Sequence, residues 1–493
     1  VKGWNTRDPL AEMDPLYAIR MDNWVPGDDE VNLRAGSEEH ATGVGSGAVE
    51  TLLIYNGLTG TDKMFAAGNS AIYDVSTSGA VGAAAVSSLT NNRWQYVNFG
   101  TAGGQFLWMV NGADGVRTYN GSSWATQTVT GVTPANLIWC NVHHRRIFAG
   151  EKDSLEFAYF PVNTISGSMS TFSLAGLATK GGYLMGMATW TGDAGDGIDD
   201  YAIFVTSEGQ AIVYTGINPA SASDWILKGV YEMGKPIGRR FWVPDGGDVI
   251  FITQDGFEPA SALMVSREAR RSRSISNQIT PTVNTATRNY SANFGWEAIA
   301  YPQSRWLLFN IPISENETAH QYVFNSTSRA PCRFKGWNAN CFAVFNDDLY
   351  FGGIDGRVMK ADTGTDDDGS NIDGDIKPAF NYFGNKARLK LFKMARPIFN
   401  ADGDFEAAFD MNVDFEDAIP TATPTFTDPD AALWNNFNWN EANWGGGGGF
   451  VSKDWQSITG VGYSGALRIR VSTKLLSISM RSIDYVFEEG GVL

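Results

Sequence analysis

Four histidines, a triple aspartate and Ser464 in a Gly-Tyr-Ser-Gly run are the residues whose types could do chemistry in this chain of 493 residues. His143 and His144 are adjacent, so on a strand they would face opposite ways and could not chelate one ion together. They are expected as turn or surface residues of a hairpin, with His40 and His320 far away in sequence. Asp366-Asp367-Asp368-Gly369 invites a calcium reading. Setting Gly369 at the invariant sixth place of a calcium loop puts Gly364 at the first ligand and Asp375 at the twelfth, where a bidentate glutamate is needed. The run is therefore expected as an acidic linker, leaving only an irregular calcium site open. Gly462-Tyr463-Ser464-Gly465 brushes against a nucleophile elbow, but no histidine comes after His320, so Ser464 has no base in the required order. Gly43-Val44-Gly45-Ser46-Gly47 lacks the Lys-Ser/Thr of a phosphate-cradling loop. Asp114-Gly115 and Asp355-Gly356 match only partly the Ser-x-Asp-x-Gly turns of sialidase-like propellers. No catalytic residue, metal ligand or cofactor is assigned, and the chain reads as a non-enzyme.

Two clusters suggest contact rather than catalysis. Arg267, Arg270, Arg271 and Arg273 form the one basic run of an acidic chain, read either as a solvated helical connector or as a partner-facing or DNA-channel loop. Trp434, Trp439 and Trp444 recur every five residues, matching neither helix nor strand period, and would anchor a partner if exposed.

The elements that must position these residues are strands. Hydrophobic residues make up 43%, with 29 Phe, 16 Trp and 55 Gly, a composition of many short strands joined by tight turns. Leu349 to Lys360 reads as a hairpin around Asp355-Gly356. Weaker echoes begin at Met64, Phe106, Ile147, Ala202, Val249 and Trp306, at intervals of about 40 to 57 residues, near the blade period of a β-propeller. A blade buries its faces only against neighbours, so the ring must close, and Leu349–Lys360 is expected to close it against a strand from the N-terminal side. A sandwich array would give similar spacing. The expected fold is all-β: a propeller of six to eight blades over 51–365, an extended N-terminal arm over 1–50, and a sandwich-like all-β domain over 366–493. Within the arm, Asp14-Pro15 is expected to start a short helix reaching Met21. In the last part, Phe409 to Phe415 alternates as a half-buried antiparallel strand.

The net charge of −17 argues against wrapping nucleic acid, which needs phosphate neutralisation. Three scattered cysteines make neither a disulfide framework nor a zinc site. No run approaches the roughly 18 apolar residues of a membrane span, and Val1 to Leu10 does not read as a signal peptide, so export is not expected.

Asn5-Thr6-Arg7-Asp8-Pro9-Leu10, Ala18 to Pro26 around Asp22-Asn23-Trp24, and Leu33-Arg34-Ala35-Gly36 resemble the tail nozzle (tail tube) proteins of short-tailed, podovirus-type bacteriophages. Ala41-Thr42-Gly43, Val49 to Leu52 and Val413-Asp414-Phe415 are similar to that family as well. The resemblance implies a virion protein, assembled in the host cytoplasm as a homohexameric ring at the distal end of the tail. It would dock on the tail adaptor, support fibres or spikes, and gate genome ejection, with double-stranded DNA passing through the channel without sequence recognition. The other reading is a propeller lectin or glycosidase acting on surface polysaccharide, on the strength of the aromatic content.

Overall fold

Strand after strand in the middle of the chain is apolar on both faces, and the geometry explains it. The structure, a computed structural model, describes residues 1–58, 60–193, 198–263, 272–426, 450–452 and 454–490. It divides into two units, one of Glu39–His320 with Asn338–Lys360, the other of Val1–Glu38, Gln321–Trp337 and Ala361 onward.

The first unit is a β-propeller. Seven antiparallel sheets succeed one another among its described residues, opened by the strands Thr51–Tyr55, Gln95–Thr101, Leu137–His143, Leu184–Asp193, Trp242–Asp245, Glu297–Tyr301 and Cys341–Phe345. Each sheet contacts the next, and Cys341–Phe345 lies against Thr51–Tyr55, which closes the ring at seven. Side chains alternate across a strand, so successive residues face different neighbours. Met64 and Ala66 pack toward the seventh sheet with Cys341 and Phe345. Phe65 and Ala67 pack the other way, onto Trp94, Leu107 and Met109 of the second. Trp108 and Val110 continue onto Leu137, Ile147 and Phe160 of the third. Phe148 and Phe157 of the third meet Phe204 and Trp225 of the fourth, Phe157 stacking on Phe204 at 4.4 Å between ring centroids. Each fully buried side chain of this kind contributes about 1.5–3 kcal/mol. The period of two is thus present but hidden, because both faces are inside.

The seventh sheet is completed from the start of the chain. Asp348–Gly352 and Val358–Ala361 are succeeded in the sheet by Ser37–Thr42, the N-terminal closure expected from the sequence. Val44 donates its backbone N–H to Gly356 O at 3.0 Å. Gly356 has φ +76°, and a Cβ there would lie 1.9 Å from Gly45 O, so this turn admits only glycine. The fifth sheet has three strands and leads into the helix Thr280–Tyr290. Among the described residues no helix is long and apolar enough to cross a membrane.

The second unit pairs two sheets as a sandwich. One runs in the order Pro331–Phe334, Tyr17–Asp22, Ile372–Pro378, Gly465–Thr473, Ala408–Val413. The other runs Trp24–Pro26, Val31–Leu33, Ile478–Glu489, Lys390–Ala401, with Phe450–Ser452 and Gln456–Gly462 both on the last. Three expectations are corrected here. Residues 1–38 are not a separate arm but belong to this unit and supply strands to both of its sheets, and residues 321–337, expected in the propeller, belong to it too. Asp14-Pro15 starts a turn, Tyr17 N–H bonding Asp14 O at 3.0 Å, and the turn leads into the strand Tyr17–Asp22 rather than a helix. Its pairing with Ile372–Pro378, some 350 residues on in the chain, outweighs the local helix signal. That partner strand begins three residues after the Asp366–Gly369 run, with Ile372 and Ile376 buried and Gly374 paired with Val471.

Candidate functional site

The first strands of the propeller sheets begin in loops rich in Asn, Gly and Arg, and these loops enclose two adjoining cavities. One of about 420 Å³ is lined by Trp94 to Asn98, Trp139 to Val142, Met187, Trp242 and Glu297, which come from five successive sheets, so it lies on the ring axis. A second, of about 600 Å³, is walled by Asn91, Asn111, Asn293, Phe294 and the arginines Arg93, Arg239 and Arg240. Gln95, Arg239 and Arg240 border both.

The three arginines differ in what holds them. Arg240 donates to Thr51 Oγ1 at 2.6 Å and to the carbonyls of Glu50 and Trp94 at 3.2 Å, and pairs with Glu297 at 3.4 Å. Burial is the largest single influence and opposes its charge, but Glu297, Cys341 and Tyr96 together exceed it and hold the guanidinium above its ordinary pKa. Glu297 accepts Phe342 N–H at 2.9 Å, yet burial exceeds what Arg240 returns and raises its carboxyl. Tyr96 beside them is pushed up to about 12, by burial first and Glu297 second. Arg93 is clamped by Glu50 at 2.9 Å and Glu315 at 2.7 Å, over the Phe294 ring at 4.2 Å. Arg239 has no hydrogen bond or ion pair to a described residue. Its side chain reaches solvent, although partial desolvation still lowers its pKa, with Tyr183 opposing the shift and Arg93 adding to it.

The residues singled out from sequence do not meet in one place. Arg267, Arg270, Arg271, Trp434, Trp439 and Trp444 lie outside the described residues. Arg273 is exposed. His143 and His144 do not face apart as expected: the strand ends at His143, His144 enters the turn at φ +43°, and their ring centroids are 4.3 Å apart. His143 is also not at the surface but 2% exposed, and burial, then His144, pushes it down to about 4 against the pull of Gly216 O and Asp200.

Asp367 is not a free linker carboxylate. It accepts Arg34 Nη1 at 2.9 Å and Nη2 at 2.5 Å, and Trp337 Nε1 at 3.2 Å. Arg34 also donates to Asn23 Oδ1 and to the carbonyls of Ala35 and Lys335, so all its N–H groups are used. Asp22 holds Arg333 through both oxygens, at 2.6 and 2.8 Å, and Lys335 at 2.7 Å. Arg468 grips Asp375 at 3.0 and 2.6 Å, and that bond holds its pKa above the ordinary value. Ser464 is fully buried and bonded to Asp414. Asp114 is occupied by Thr90 and Asn111, and Asp355 by Arg357. Among the described residues no group of three His, Cys, Asp or Glu side chains is placed to hold a metal.

Sequence reasoning missed the arginine cavity. Its signal is Gly238-Arg239-Arg240 ahead of Phe241-Trp242, and Asn91-Asn92-Arg93 ahead of Trp94: cations in an acidic chain at the turn before an inner strand.

No family model matches the chain, and no curated protein matches it. Solved structures that it resembles include BBS1N in complex with ARL6DN, at 9% identity, covering 67% of this chain and 98% of that one, TM-score 0.42. YCF48 bound to D1 peptide is 10% identical over 69% and 96%, TM-score 0.36. The Cps50 (Swd1) β-propeller domain of Myceliophteria thermophila is 10% identical over 64% and 100%, TM-score 0.38. At these TM-scores the likeness carries no argument, and it is the seven sheets themselves that make the propeller.

Proposed function

We propose that the chain is a structural virion subunit that forms the distal nozzle ring of a short phage tail, most simply a hexamer. What carries this reading is where the residues of the family resemblance lie. Asn5, Asp22, Asn23 and Arg34 are buried polar groups of the sandwich unit. Asn5 Oδ1 caps the backbone N–H groups of Arg7 and Asp8, while Asp22, Asn23 and Arg34 tie four chain segments together. Part of the resemblance thus falls on the frame of that unit, while Arg7, Pro9 and Leu10 of the same motifs are exposed.

The charge suits the role. Six copies at −17 sum to roughly −100. A channel wall bearing part of that charge repels phosphate, so double-stranded DNA slides past without sequence recognition. The ring would dock on the tail adaptor, carry fibres or spikes, and gate ejection. The test is native mass spectrometry with electron microscopy of the purified protein and of tail particles. Rings with an axial hole are expected; monomers alone, even in tails, would overturn the proposal.

A further inference from the structure

We infer that a second copy of this chain docks on the open edge of the strand Ile478–Glu489 in the sandwich unit. The two copies of that strand pair antiparallel about a two-fold axis at Tyr485. Such a contact is isologous, so it uses a different surface from the head-to-tail contacts of a ring and does not rest on the tail reading.

One side of the strand pairs with Lys390–Ala401 along its whole length. On the other side Val31 and Asn32 cover only Met480 and Ser479. From Arg481 to Glu489 no described strand follows, so every second residue there has N–H and C=O groups without a ladder partner among the described residues. An edge of this length is a template for another strand. Beside it runs a groove of about 340 Å³, with Ser482, Ile483 and Tyr485 on one wall and Leu16, Ile376 and Pro378 on the other. Leu16 is 60% exposed, so an apolar wall stands bare next to the open ladder.

Two constraints select the occupant and its register. Val31 blocks an incoming strand from running past Met480. When the same strand of another copy lies antiparallel, its last residue, Glu489, can therefore advance no further than Arg481. That limit sets Tyr485 opposite Tyr485, Ile483 opposite Phe487 and Ser482 opposite Glu488, and brings Arg481 beside Glu489 at both ends. It is the longest overlap the edge allows. The next register that keeps matching faces together is centred on Val486. It sets Asp484 opposite Glu488 twice, and like charges directly opposite oppose pairing. The steric limit and the charges thus agree on one arrangement. Arg481 is free to serve it: its side chain is 66% exposed, and its bond among the described residues runs from Nε alone, to Glu30 at 3.2 Å.

Disulfide cross-linking tests the pairing. In a chain carrying both Ser482→Cys and Glu488→Cys, each thiol meets its counterpart across the axis. Within one copy the two lie six strand residues apart, about 20 Å, too far to bridge. Mild oxidation of the purified full chain should give covalent dimers on a denaturing gel from the double variant and from neither single one. Arg481→Glu sets like charges together at both ends and should weaken association in sedimentation velocity by about tenfold or more. Its melting temperature, compared with wild type, checks that the fold is kept. No cross-link in the double variant, equal cross-linking in the single ones, or undiminished association of Arg481→Glu would overturn the proposal. Rings seen by microscopy without this cross-link would sink it alone and leave the tail reading standing.

Discussion

The two units bury charge in opposite ways. In the sandwich unit Arg34, Asp22 and Asp375 each meet several partners, some of them hundreds of residues away in sequence. In the propeller the Arg240–Glu297 pair stands beside a ring held by apolar contacts between successive blades. The difference arises from how each unit is threaded. A blade is one local hairpin set, so alternating Phe, Leu and Ile suffice to fix it. The sandwich gathers strands from 17–22, 331–334, 372–378 and 465–473, and apolar faces alone would tolerate slippage between such strands. Directional ion pairs fix the register there, at the cost of desolvating each charge.

That contrast can be broken at its strongest point. Arg34→Met leaves the half-buried Asp367 without its cation and should cost about 3 kcal/mol in urea unfolding monitored by Trp fluorescence. Adding Asp367→Leu should return much of that loss; a double variant no better than the single one would mean Arg34 acts by packing on Trp337, 4.8 Å away, and not by charge. Glu297→Gln is the propeller counterpart. It should cost about 2–3 kcal/mol, less than Arg34→Met, because Arg240 keeps Thr51 and two carbonyls as acceptors.

His143 supplies a pH test of the propeller alone. Its folded pKa of about 4 lies below the ordinary 6.5, so the unfolded chain takes up a proton first as pH falls. Stability is whole above that ordinary value, declines as pH drops toward the folded value, and levels beneath it. The loss between about pH 7 and about pH 4.5 should reach about 2 kcal/mol, and His143→Phe should flatten that slope in pH-dependent melting. An unchanged slope would assign acid sensitivity to the carboxylates instead. The smallest effect is expected at Arg357, whose pairs with Asp355 and Glu39 lie at the surface of the closing sheet. Arg357→Ala should cost less than about 1 kcal/mol. A larger loss would mean that side chains, and not the backbone ladder, close the ring.

The same contrast governs what was legible in the sequence. Each blade hairpin was visible, from Met64–Gly68 to Leu349–Lys360, because its strands are neighbours in sequence. Closure by an N-terminal strand was legible as well, since a ring with a hairpin last needs a partner from the start. The sandwich was read with the wrong membership. Nothing near Asp14-Pro15 says that Tyr17–Asp22 will find Ile372–Pro378, and nothing near Asp367 says that Arg34 will reach it. The cavity arginines were missed for another reason: Arg239 and Arg240 are adjacent, yet among the described residues one is paired and the other is not. What separates them is the placement of Glu50, Thr51, Trp94 and Glu297, all distant in sequence, around Arg240 alone.

Closure by the strand Ser37–Thr42 has a consequence for biosynthesis. Glu39 meets Arg357 across 318 residues, so the first blade surface made is the last to be covered. At usual synthesis rates its partner strand emerges roughly 15–65 s later. Throughout that interval the nascent chain carries an open sheet edge and the apolar faces of Leu52, Met64 and Ala66. An edge and an apolar face left open for so long are a liability for aggregation during translation.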